Sequence, residues 1–86
     1  MEWLTFHMHV YSKRQRRQLS ILLRRYQFRA ARILVNISPI PEMTGEMLHH
    51  YHEYDPESTL REDILRSVDL LRKDGYSMSV VVKVQT

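Results

Sequence analysis

Residues 3–11 alternate. Leu4, Phe6, Met8 and Val10 fall on one face, and Trp3, Thr5, His7, His9 and Tyr11 on the other. A period of two built from β-formers predicts a strand with one buried face. From Lys13 to about Gln27 the period lengthens. Leu19, Leu22, Leu23 and Tyr26 then share an arc of about 100° on a 3.6-residue wheel, which predicts an amphipathic helix. Ser12 stands where an N-cap is wanted. Lys13, Arg17 and Arg24 lie nearly opposite the apolar arc, Arg14 and Arg25 lie on a flank, and Ile21 and Phe28 fall off the arc.

Alternation returns over residues 30–38, where Ile33, Val35 and Ile37 share a face. Pro39 and Pro41 are expected to end this strand, because proline has no N–H for the ladder. Thr44-Gly45 is a turn signal. Residues 46–54 are assigned to a third strand by their position and tyrosines, although neither alternating set is purely apolar. Asp55-Pro56-Glu57-Ser58 breaks the chain. Thr59 to Glu62 fits a capping box that opens a second helix, with Leu60, Ile64, Val68 and Leu71 as its stripe. Gly75 sits where a left-handed residue ends it. In the last strand, Ser77 to Thr86, Met78, Val80, Val82 and Val84 share one face and Ser79, Val81, Lys83 and Gln85 the other.

The elements therefore read β-α-β-β-α-β over a single domain, residues 1–86. This order resembles the ferredoxin-like fold. The resemblance implies an α+β sandwich with one antiparallel sheet and both helices on one face. Right-handed crossovers then set the first and third strands side by side at the centre.

Composition narrows the chemistry. The 86 residues include no cysteine, which excludes disulfides, thiolate metal sites and cysteine nucleophiles. No apolar run approaches the roughly 20 residues of a membrane helix. The first residues do not form a signal peptide, so a cytoplasmic protein with no membrane partner is expected. So small a domain buries only about 60–65% of its unfolded surface, which favours a homodimer.

The net charge of +3 is unevenly spread. Residues 1–32 carry eight basic groups and one acid, and residues 33–86 carry five basic groups and nine acids. Lys13, Arg14, Arg16, Arg17, Arg24 and Arg25 would make the first helix a dense positive surface, extended by Arg29 and Arg32. Such a surface attracts phosphate backbones, and arginine suits bidentate recognition of phosphate or carboxylate. Two other readings compete. The face is simply solvated or paired with Glu57, Glu62, Asp63, Asp69 and Asp74, or it docks an acidic protein.

The histidines offer a third theme. If the first and third strands are neighbours, His7, His9, His50 and His52 converge, and imidazoles spaced two apart on adjacent strands can bind zinc, copper or nickel. The commoner role is that of half-buried interface polars, and no cofactor is assigned. The open sheet face would present Trp3, Thr5, His7, His9 and Tyr11. RNA-recognition domains share this element order and stack bases on aromatic residues of their central strands. Their Gly-Phe-rich motif is missing here, and a homodimer interface is the preferred use of the face. Catalysis is not indicated, since two glycines make no phosphate-cradling loop. The sequence thus predicts a small nucleic-acid-binding or accessory protein. Its alternative is a homodimeric regulatory module, of the kind phages and mobile elements encode, that docks an acidic partner.

Overall fold

A computed structural model describes residues 2–40, 50–53 and 60–86, with backbone placement alone for residues 50–53 and 60. The elements are β1 (Trp3–Val10), α1 (Lys13–Tyr26), β2 (Arg32–Ile40), β3 (His50–Glu53), α2 (Leu60–Lys73) and β4 (Ser77–Gln85). The turn at Thr44-Gly45, the break at residues 55–58, Thr59 of the capping box and the remainder of the expected third strand lie outside the described residues.

The fold is α+β, and its sheet rests on three long antiparallel strands in the order β1-β4-β2. Residues 50–53 add only a four-residue pairing along the outer edge of β2. The ferredoxin-like sheet expected from element order is therefore corrected. That fold needs the first and third strands together at the centre, whereas here they lie at opposite edges and β4 and β2 hold the middle. The physical reason is apolarity on both faces. β4 carries Val80, Val82 and Val84 toward the core and Val81 on the other side, and β2 carries Ile33, Val35 and Ile37 toward the core and Leu34 on the other. Strands flanked on both sides are the best protected from water and take the β-branched residues. The histidine-bearing strands go to the edges.

One cluster joins the two helices to one sheet face. Leu19, Leu22 and Leu23 of α1 and Ile64, Val68 and Leu71 of α2 pack with Ile33, Val35, Ile37, Met78, Val80, Val82 and Val84. The expected stripes of β2 and β4 are thus buried, as are Leu19, Leu22 and Leu23 of α1 and Ile64, Val68 and Leu71 of α2, while Tyr26 is partly buried against the cluster. β1 departs from expectation. Val10 is fully buried, Phe6 and Met8 only partly, and Leu4 is 44% exposed. Phe6 closes against Tyr26 of α1, ring centroids 5.7 Å apart.

Local punctuation agrees only in part. Gly75 has φ +89°, and the amides of Gly75 and Tyr76 donate to the carbonyls of Arg72 and Leu71 at 3.0 Å each. This is a Schellman ending of α2. Ser12 occupies the N-cap of α1, but its side chain caps no amide; its hydroxyl donates to the Gln15 side-chain carbonyl. Pro39 does not end β2. It is fully buried inside the strand opposite Met78, beyond Ile37, where the pairing with β3 stops. Among the described residues no helix is long and apolar enough to cross a membrane.

Candidate nucleic-acid interface

The six basic residues expected on α1 divide into two groups. Arg16 lies on the flank of α1 that meets α2. Its Nε and an Nη donate to the two carboxylate oxygens of Asp69 at 2.6 and 3.0 Å. The Asp69 hydrogen bond raises the Arg16 pKa, partial burial opposes it, and the charge of Asp69 adds to it. Arg16 thus ties the two helices together and is occupied.

Lys13, Arg14, Arg17, Arg24 and Arg25 are exposed and form no ion pair with the described residues. At 100° per residue they share the outward half of α1, with Ile21 among them. From Lys13 to Arg24 they span about 16 Å of helix axis. The local sequence explains this placement. Four apolar residues on one arc press that side to the sheet, and the cations must take the water side. Arg24 and Arg25 also fall in the last turn, where positive charge complements the helix dipole. The acidic residues of α2 engage little of this charge. Asp69 takes Arg16, and Asp63 lies 3.9 Å from Arg66 of its own helix.

The sheet face opposite the helices is a separate surface. Its register rows read Trp3–Gln85–Arg32, Thr5–Lys83–Leu34, His7–Val81–Asn36 and His9–Ser79–Ser38. Arg32 stacks on the Trp3 ring at 5.6 Å. That contact was not anticipated, because only the register shows that residues 29 apart share a row. Thr5, His7, Leu34, Asn36, Val81 and Lys83 line a shallow depression here. The aromatic content is lower than expected: Trp3 is on the face, while Tyr11 lies beyond the end of β1 and is 63% exposed.

The four candidate imidazole ligands do not lie on neighbouring strands. His7 and His9 are on β1 and His50 and His52 on β3, with β4 and β2 between them. Three inter-strand spacings make about 14 Å. The backbone register also sets His50 and His52 opposite Ile37 and Val35, in the core-side rows, whereas His7 and His9 belong to the open-face rows. Among the described residues no group of three or more potential ligands gathers for a metal ion.

No family model, curated protein or solved structure matches this chain.

Proposed function

We propose that the protein binds nucleic acid through the phosphate backbone, using the outward face of α1. The observation behind this reading is the row of five exposed cations, Lys13, Arg14, Arg17, Arg24 and Arg25, without an ion-pair partner among the described residues. Among the described residues, pairing with the acidic half of the chain takes only Arg16 of the six, which weakens the self-neutralised alternative. Phosphate contacts of this kind position a duplex or single strand without reading bases. The role that fits is a sequence-independent accessory protein, acting in a cytoplasmic compartment where nucleic acid is accessible.

The test is a salt titration of binding to a labelled oligonucleotide. Four to five neutralised phosphates predict a slope of log K against log salt near −4 for duplex DNA, using about −0.9 per phosphate. Reversing Arg17 and Arg24 to Glu is expected to abolish most of the affinity and flatten the slope by about 2. Undetectable binding at about 50 mM salt, or an unchanged slope in the double variant, removes this function.

A further inference from the structure

Among the described residues, β1 has a hydrogen-bonded neighbour on one side only, β4. Its pairing with β4 runs unbroken from Trp3 to Val10, so no bulge turns the free edge away. The strand reads Trp-Leu-Thr-Phe-His-Met-His-Val. It contains no lysine, no proline and no inward carboxylate, the devices that usually stop a sheet edge from accepting another strand.

The core beside this edge is also unfinished. The core-side positions of β4, Val80, Val82 and Val84, are fully buried, while Leu4 across the ladder from Val84 is 44% exposed. Above the edge, α1 presents Ile21, 49% exposed, and Leu22. Together with Phe6, Met8, Gln18 and Arg25 they wall an open groove of about 530 Å³ along the strand. An edge ready to pair, with an apolar trough beside it, is the arrangement used in strand addition: the main chain gives affinity and alternate side chains fill pockets.

Charge selects the occupant. Among the described residues no carboxylate lines the groove, and its charged wall is Arg25, with Arg14 on the same flank of α1. A second copy added antiparallel to β1 would bring two α1 flanks, and so two Arg25 side chains, to the same seam. Like charges juxtaposed at an interface suppress that pairing. We propose that an extended acidic segment of a partner protein adds to β1 as a further strand. Its alternate apolar side chains enter beneath Ile21 and Leu22, and its carboxylates answer Arg25 and Arg14 at the rim. This site shares Arg14 and Arg25 with the phosphate-binding row, whereas Lys13, Arg17 and Arg24 on the outer face belong to that row alone.

The probe is a fluorescein-labelled peptide of alternating valine and glutamate, about as long as β1. A peptide with lysine in place of glutamate and a scrambled, non-alternating peptide serve as controls. Binding is followed by anisotropy, and amide exchange of the 15N-labelled protein locates the contact. The alternating acidic peptide is expected to bind, with every second amide of β1 gaining protection. Ile21→Glu, at an exposed position, is expected to keep the native circular dichroism and weaken binding at least about tenfold. Phe28→Glu makes the same charge change outside the groove and is expected to leave binding within about twofold.

Three results overturn the proposal. One is equal binding of the lysine or scrambled peptide. Another is binding with no β1 protection. The third is β1 protection that rises with protein concentration alone, together with a doubled mass, which would make a second copy the occupant. If the peptide arm fails while Arg17 and Arg24 still govern oligonucleotide binding, the phosphate reading stands alone.

Discussion

At the scale of single residues, two positions separate backbone from side-chain effects. Gly75 has φ +89°, and a Cβ built there meets nothing within 4 Å. Gly75→Ala therefore tests conformation alone. It is expected to destabilise the fold by about 1 kcal/mol through the left-handed backbone, read as a shift in the urea midpoint at unchanged m-value. The Arg16–Asp69 pair is the opposite case. Its geometry is bidentate, but the side chains are 35% and 48% exposed, so screening limits its worth to at most about 1 kcal/mol. Arg16→Ala is expected to cost that little by denaturation. It should also leave the salt slope of oligonucleotide binding unchanged, because Arg16 already faces a carboxylate. A slope lowered by about 1 in Arg16→Ala would place it among the phosphate contacts instead.

At the scale of elements, the strand order makes its own prediction. Among the described strands, β4 is flanked on both sides and β1 on one. Amides of β4 are expected to exchange slowest, near the global unfolding limit, and alternate amides of β1 much faster. Val82→Ala, at a fully buried position, is expected to cost about 2 kcal/mol or more, and Leu4→Ala, half exposed, less than about 1 kcal/mol. A ferredoxin-like order would protect β1 most. The sequence made each face legible. The alternation of Ile33, Val35 and Ile37 and of Met78, Val80, Val82 and Val84 named the buried side of β2 and β4, and the 3.6-residue spacing did so for both helices. Neighbours were not legible, because a period of two records which face is buried and says nothing of what lies alongside. The usable signal was the apolar residue on the far face, Val81 and Leu34, which marks the strands flanked on both sides. Pro39 misled for a related reason. The rule against proline concerns a strand with partners on both sides, and β3 covers only Leu34 to Ile37. For the candidate site, the cationic stripe was visible in the spacing. The removal of Arg16 from it depends on a partner 53 residues away and was only one of several pairings the sequence allowed.

At the scale of the whole molecule, the basic helix and the Trp3- and histidine-bearing sheet face turn out to be opposite surfaces. The core lies between them, so a strand bound along the outside of α1 does not reach Asn36 or Lys83 on the far side. This separation distinguishes a located interface from a protein that is merely positive. Arg17→Glu and Lys83→Glu change the net charge of +3 equally, and both residues are exposed. If net charge governed association, the two variants would lose affinity alike. The molecule's smallest extent is 22 Å, and at 0.15 M salt the Debye length is only about 8 Å. At that ionic strength a charge on the far sheet face is screened from phosphate on α1. Arg17→Glu is therefore expected to weaken oligonucleotide binding by about tenfold or more, and Lys83→Glu by less than about twofold. At about 10 mM salt, where the Debye length grows to about 30 Å, the gap between them should narrow. Equal losses at both ionic strengths would show attraction by total charge with no preferred face, and a larger loss in Lys83→Glu would move the interface to the sheet.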